Sequence, residues 1–281
     1  MSKESINFKH CNDLITAFEN SIENPVAGNS RIYHTGVDLG TAYVVMTVLD
    51  ENYKPVAGAC RRADVVRDGM VVDYIGAIRI VKTMKETIEN RIGAELLYAA
   101  AAIPPGMDKL DGGAVANVCR SAGFEITALL DEATAANSLL KMENGAIVDI
   151  GGGTTGIAVI KDKKIVSTVD EATGGVHFSL VLSGAYKMKF DDADEYKRNI
   201  ENHAEIITVV RPVIEKISGI IESAVYPYDI DTVVLVGGSS CLSGIEKIVE
   251  KNTGIRTLKP DNPLFVTPLG IALNCTREII Y

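Results

Sequence analysis

Two short runs carry residue types that can handle an anion. Asp38-Leu39-Gly40-Thr41 and Asp149-Ile150-Gly151-Gly152-Gly153-Thr154 each set a carboxylate near the end of an apolar run, just before a glycine turn that contains a threonine. Glycine has no Cβ, so such a turn lets backbone N–H groups come close to an anion, and threonine adds a hydroxyl donor. Two of these turns facing one another would grip a polyphosphate from both sides. The carboxylates would repel that phosphate without a cation between them. Mg2+ suits the place, because it takes one or two carboxylates, several waters and phosphate oxygens. A single glycine turn need do no more than reverse the chain; the recurrence is what favours the chemical reading. Neither run has the P-loop or the dinucleotide-binding glycine spacing. A third turn, Gly237-Gly238-Ser239-Ser240, follows an apolar run at 232–236 and opens a helix. Strand ends of this kind receive ligands in many α/β sheets, and small residues leave room for a flat ring. A plain strand–helix turn is equally compatible.

The elements around these turns repeat. Residues 33–41 and 42–50 read as two strands joined at a Gly-Thr turn, and 56–62 as a third strand after a polar turn. Residues 146–155, 156–160 and 165–169 restate the theme, with Lys161-Asp162-Lys163-Lys164 as the polar turn. Between the copies, Arg67-Asp68-Gly69 is a hairpin signal. Helical periodicity runs over 75–92, 112–122 and 132–140, and strands over 95–103, closed by Pro104-Pro105-Gly106, and 125–130. After the second copy, helices are expected at 176–186, 191–199, 203–226 (one long helix) and 242–252, with a last helix opening at Val266-Thr267-Pro268. An internal duplication implies two similar halves with a cleft between them. Ahead of the first copy, Phe8, Cys11, Ile15, Phe18 and Ile22 form one stripe of a helix, followed by Ala27-Gly28-Asn29-Ser30 as a linker. That helix either docks on its own domain or presents its stripe to a partner.

Composition narrows the function classes. The chain has 281 residues, 47% of them hydrophobic, enough for a sizeable core in about two domains. Its net charge of −9 and its lack of a basic run disfavour nucleic acid as a partner. Five scattered cysteines with no CxxC pair fit reduced thiols in a cytoplasmic protein better than a disulfide framework or a zinc site. No secretory leader and no membrane span are expected.

In this order the runs resemble the motifs of the actin-like ATPase superfamily, which includes actin, DnaK-type chaperone ATPase domains, FtsA and PilM. Residues 37–50 resemble its first phosphate motif, 132–136 the first connecting motif and 147–159 the second phosphate motif. Residues 233–240 resemble the adenosine motif, and 268–272 the second connecting motif. The run Arg61-Arg62-Ala63-Asp64-Val65-Val66-Arg67-Asp68-Gly69-Met70-Val71-Val72-Asp73-Tyr74 and the overall length resemble the chaperone-like proteins of bacterial ethanolamine-utilisation operons. The resemblance implies an α/β protein of the actin-like ATPase fold, with two RNase H-like lobes and ATP with Mg2+ in the cleft. It implies lobe I at 31–145 plus 265–281, lobe II at 146–264, and a separate helix and linker at 1–30. Asp38, Gly40 and Thr41 match the β-phosphate and metal side. Asp149 matches the second metal-side carboxylate, with Gly151, Gly152, Gly153 and Thr154 at the γ-phosphate. Glu132 matches the acid that holds water and metal near that phosphate, so Glu132 and Asp149 are the expected catalytic pair. Asp194 and Lys197 resemble a nucleoside-contacting helix, and Gly237, Gly238 and Ser239 the adenosine turn.

The chain departs from the DnaK pattern. Gly156 stands where DnaK-type ATPases carry a second-hairpin Asp, and there is no match to their catalytic lysine. Hydrolysis is therefore expected to be slow. No DnaK-style peptide-binding domain is expected after the last helix, and the short inserts make an actin-like polymer a weaker expectation. The leading reading is a nucleotide-switched chaperone or assembly factor. Its client would be an ethanolamine-utilisation enzyme or microcompartment shell protein, and its place the cytoplasm or a microcompartment. The alternative is a scaffold of the FtsA/PilM kind with little turnover. A small-molecule kinase is third, because no spare motif supplies a substrate pocket and base.

Overall fold

The computed structural model describes residues 8–26, 30–67, 69–104 and 113–276. The linker residues 27–29, Asp68 of the hairpin signal, Pro105-Gly106, and 1–7 and 277–281 lie outside them. In chain order the elements are α1 (Lys9–Glu23), β1 (His34–Leu39), β2 (Tyr43–Leu49), β3 (Pro55–Arg62), β4 (Val66–Arg67), β5 (Met70–Val71), α2 (Tyr74–Ile92), β6 (Tyr98–Ile103), α3 (Gly113–Ser121), β7 (Glu125–Asp131) and α4 (Glu132–Leu140). There follow β8 (Gly145–Ile150), β9 (Thr155–Lys161), β10 (Lys164–Glu171), α5 (Gly175–Tyr186), α6 (Phe190–Tyr196), α7 (His203–Val209), α8 (Arg211–Val225), β11 (Thr232–Val236), α9 (Ile245–Thr253), β12 (Arg256–Leu258) and α10 (Val266–Leu273).

The strands form two five-stranded sheets with one plan. The first runs β3-β2-β1-β6-β7 and the second β10-β9-β8-β11-β12, plus a small β4-β5 hairpin. In both, three antiparallel strands come from consecutive hairpins and two parallel strands join the far side. The two parallel strands must return through crossovers, and helices cover the faces. Central strands read accordingly: β11 is TVVLV, buried at every position.

Each sheet owns a core. Met46, Ile88 and Val118 belong to the first, and Ile157, Ile217 and Leu235 to the second. A third cluster joins them: Val45 and Leu49 from β2, Leu139 from α4, Ile147 from β8, Val234 from β11 and Leu269 from α10. At its centre α4 and α10 cross so closely that no side-chain atom fits between them. A Cβ on Gly270 would overlap the carbonyl of Ala135. α10 also presses on β1, where a Cβ on Gly36 would lie 2.6 Å from the Ala272 nitrogen and 2.8 Å from the Pro268 oxygen.

One open reading is settled and two others change. The apolar stripe of α1 is spent on the chain's own core, so it is not free to present to a partner. Ile15 and Phe18 are fully buried, and the Phe18 ring meets Phe265 edge-on at 5.1 Å. Arg91 on α2 donates to the Ile22 and Glu23 carbonyls at the end of this helix, at 2.7 and 2.6 Å. The single long helix expected at 203–226 is two, because Pro212 has no N–H to continue the ladder and instead occupies the first turn of α8. The helix expected from 242 begins only at Ile245, after Gly244 takes a left-handed turn at φ +87°. Among the described residues no helix is long and apolar enough to cross a membrane.

Truncating Phe18 removes a fully buried ring from the cluster that joins the lobes. Phe18→Ala should lower unfolding free energy by about 3–5 kcal/mol, read as a shift in the urea midpoint. A change below 1 kcal/mol would mean that α1 contributes little to the folded core.

Candidate functional site

The two glycine turns close in the same way. Gly40 N–H donates to the Tyr43 carbonyl and Gly151 N–H to the Thr154 carbonyl, each at 3.0 Å. They meet tip to tip: a Cβ on Gly152 would sit 3.0 Å from the Ala42 Cβ and 3.2 Å from its nitrogen. Between and behind them lies a cavity of about 300 Å³, at the lower end of small-ligand sites. Every residue that the sequence singles out lines it: Asp38, Gly40, Thr41, Glu132, Asp149, Gly151, Gly152, Gly153, Thr154, Asp194, Lys197, Gly237, Gly238 and Ser239.

Three carboxylates arrive from three elements. Asp38 ends β1, Asp149 ends β8, and Glu132 is the first residue of α4. Glu132 owes its place to Asp131, whose side chain caps the helix by accepting from Thr134 N–H at 2.8 Å. All three sit deep in the cleft with only the cavity side open. Burial, then the Asp149 charge, raises the Asp38 carboxyl to about 7. Burial raises Asp149 to about 6, opposed by a hydrogen bond from Thr267 and assisted by Asp170. Glu132 is pushed well above the usual carboxylate range by burial first, then by Asp149, Asp38, Asp170 and Asp131. A positive charge among them would relieve all three. Among the described residues, no three His, Cys, Asp or Glu side chains converge tightly enough to hold a metal ion directly. The donor set therefore fits a cation that keeps much of its water, as Mg2+ does.

The second turn is tied to its surroundings by hydrogen bonds. The Gly151 carbonyl accepts from Gly175 N–H at 3.0 Å and from Ser239 Oγ at 2.7 Å. Val176 N–H reaches the Gly152 carbonyl at 2.8 Å. Lys259 Nζ donates to the Ser240 and Leu242 carbonyls, each at 2.9 Å, and so fixes the third turn. Ile206, Leu242 and Leu264 add apolar lining to the cavity beside that turn.

Asp194 and Lys197 line the cavity, but their charges are already engaged. Lys197 Nζ donates to the Gly175 carbonyl at 2.7 Å, Ser179 Oγ at 2.6 Å and Asp194 Oδ1 at 2.6 Å. Its three N–H groups are thereby used in fixing the start of α5 beside the second turn. Asp194 lies below the usual carboxylate range. Burial, the largest influence, would raise it, but Lys197, Ser179 and Arg198 together outweigh burial. Its second oxygen pairs with Arg62 of β3 at 3.1 Å, and Arg198 donates to the Tyr43 hydroxyl at 3.1 Å. These contacts bridge β2 and β3 of the first sheet to α6 and the residues after it, beside the cavity. The sequence reading had named Asp194 and Lys197 but missed Arg62, Tyr43, Arg198, Lys259 and Thr267. Nothing in their local spacing marks them, because their partners lie far away along the chain.

Comparison with known proteins gives consistent matches. The family model for the type IV pilus assembly protein PilM matches residues 85–264. The ethanolamine utilization protein EutJ of Salmonella typhimurium is 41% identical over 251 residues, covering 89% of this chain and 88% of its own length. A chaperone protein HscA homolog of Chromobacterium violaceum is 25% identical over 244 residues, 69% of this chain and 39% of the relative. The crystal structure of EutJ from Carboxydothermus hydrogenoformans superposes with a TM-score of 0.89 at 46% identity, covering 93% of this chain and 97% of that one. The PilM–PilN type IV pilus biogenesis complex gives 0.73 at 15% identity over 86% of this chain and 98% of that one. MreB5 of Spiroplasma citri bound to ADP gives 0.69 at 19% over 85% and 95%. The last two show likeness of fold.

The raised carboxylates fix the sign of a pH effect in the ligand-free chain. Asp38 binds a proton more tightly folded, at about 7, than at its ordinary 3.8. Its contribution to stability is thus full below about pH 4 and is lost as pH rises through about 7. Urea midpoints measured across this window should show the wild type losing stability relative to Asp38→Asn as pH rises. Parallel curves would remove the buried-acid account of the site.

Proposed function

The chain belongs to the EutJ family and has the actin-like ATPase fold, and from that premise we propose that it binds ATP with Mg2+ between the facing glycine turns. We further propose that it acts in ethanolamine utilisation as a chaperone-like assembly factor that switches between open and closed lobes. The observation that carries the reading is the tip-to-tip meeting of the Gly40–Tyr43 and Gly151–Thr154 turns, with a buried carboxylate behind each. In this reading lobe I comprises 31–145 plus 265–281 and lobe II comprises 146–264.

The residues divide by chemistry. Gly40, Thr41, Gly151, Gly152, Gly153 and Thr154 would face the phosphates from the two sides. The Gly237–Ser239 turn and the apolar wall at Ile206, Leu242 and Leu264 suit a nucleoside. Asp38 and Asp149 would hold Mg2+ through its water shell, and when bound Mg2+ supplies neutralisation of phosphate charge and polarisation of water. Glu132, in the first turn of α4 and on the cavity wall, would orient an attacking water and accept its proton. Asp194 and Lys197 act in this reading by shaping the wall, since their own bonds run to protein atoms. The relatives supply the context: EutJ proteins for ethanolamine utilisation, and an HscA homolog for chaperone activity. A protein client, an ethanolamine-utilisation enzyme or a microcompartment shell protein, would read the lobe closure.

A scaffold with little turnover is the second reading. It is favoured by the PilM family match and by the bonds that already bridge the first sheet to α6 and the residues after it. Turnover separates the two. ATP with Mg2+ should raise the melting temperature, and ligand at a hundred times Kd adds about 2.7 kcal/mol. The same ATP in EDTA should do less. Glu132→Gln should then lower turnover by about a hundredfold or more with a much smaller change in ATP affinity. No thermal shift at millimolar ATP overturns the site. Binding without turnover moves the chain to the scaffold reading.

A further inference from the structure

We propose that Thr267 is a positioning residue: its hydroxyl sets Asp149 for the metal side of the nucleotide and links that carboxylate to the helix α10. The inference rests on the nucleotide reading above. Thr267 is buried on the cavity wall, the second residue of α10. Its Oγ1 donates to Asp149 Oδ2 at 2.8 Å. The other carboxylate oxygen is confined on the far side, because a Cβ on Gly237 would overlap Asp149 Oδ1. One oxygen is therefore anchored and the other walled, which fixes the plane of the group.

α10 keeps company with all three acid-bearing elements. It packs on β1, which carries Asp38, through Gly36. It packs on α4, which begins with Glu132, through Gly270. It reaches β8, which carries Asp149, through Thr267. The first two links are backbone against backbone, with no room for one more carbon. They cannot slide without a clash. The third is a single hydrogen bond, which can break and be replaced by water. Pro268, next in the chain, belongs to the first turn and stiffens Thr267 by fixing its own φ. When the lobe built on β8 turns about the α4–α10 crossing, the Thr267 bond is the link of the three that can change. Asp149 would then be held in line with Asp38 and Glu132 only where the bond is made.

The test uses Thr267→Val, which keeps the branched shape and loses the hydroxyl, against Thr267→Ser, which keeps the hydroxyl. Calorimetry of ATP binding across a Mg2+ series, with ATP in EDTA as reference and Mn2+ paramagnetic resonance as a direct metal readout, gives the metal dependence apart from turnover. Loss of an outer partner of a metal-side ligand costs about tenfold or more in metal affinity, so Thr267→Val should need about tenfold more Mg2+, with a smaller loss in EDTA. Thr267→Ser should stay within about twofold of wild type. Adding Thr267→Val to Asp149→Asn should produce little further loss, since the bond it removes acts through Asp149. If the valine variant does not fold, Thr267→Cys, a weaker donor of similar size, takes its place and should fall between wild type and Asp149→Asn. Wild-type Mg2+ dependence in the hydroxyl-free variant, a serine variant as impaired as valine, or fully multiplicative losses in the double variant would each overturn the proposal. A wild type that binds no ATP removes the nucleotide reading, and this inference falls with it.

Discussion

Backbone contact at the α4–α10 crossing sets the terms for everything around the cleft. Where Gly270 meets the Ala135 carbonyl, the two helices are as close as peptide groups allow. Dispersion and steric repulsion are both steep at that range, so the crossing holds its geometry. The acids take their positions from it. Glu132 opens one of the two helices, and the other is locked to the strand of Asp38 and hydrogen-bonded to Asp149. A constellation drawn from three separated stretches of chain is thereby held by one short helix, in a core that belongs to neither sheet alone. The N-terminal helix serves the same core: Phe18 and Ile15 fill the space beside Phe265.

Electrostatics gives that geometry its direction. Burying Asp38, Asp149 and Glu132 together is unfavourable for the charged forms; Asp149 raises the proton affinity of Asp38, and both aspartates raise that of Glu132. The site in its ligand-free form therefore holds protons near neutrality that a cation would displace. A hydrated divalent ion brought in with a polyphosphate would exchange for those protons without needing a closed cage of ligands. At the rim the sign is reversed. Arg62 and Arg198 face Asp194 near solvent, where ion pairs are individually weak and easily exchanged.

Much of this was legible before any coordinates. Asp38, Asp149 and the glycine turns stood out because a strand end, a carboxylate and a phosphate-sized turn are adjacent in sequence, and because the pattern occurs twice. Nine of the ten strands in the two large sheets followed from apolar runs of strand length; β12, three residues long, was too short to stand out and completes the second sheet only in the structure. What else the sequence hid is non-local. Thr267 and Asp149 are partners 118 positions apart, and Arg198 and Tyr43 are 155 apart. No local period encodes such a bond. The N-terminal stripe had two readings because periodicity shows that a face is apolar and not what covers it. A lysine near a cleft invites a ligand contact, whereas in the structure the three donors of Lys197 end on Gly175, Ser179 and Asp194.

A stiff crossing with weak contacts at the rim has a consequence for switching. A ligand can move an equilibrium between open and closed lobes only by its differential affinity for the two. In the proposed reading the facing turns provide that difference, because a polyphosphate would touch both only with Ala42 and Gly152 as near as they are here. The bonds of Arg62 and Arg198 add a smaller bias toward the same state without a ligand. Their exposure keeps that bias to about 1 kcal/mol per pair or less. A large apolar contact at that place, like the one under α1, would hold the two sheets together far more strongly. With the hydrophobic core at the helix crossing and exchangeable charges at the rim, the fold has the distribution of strong and weak contacts that the proposed lobe switching requires.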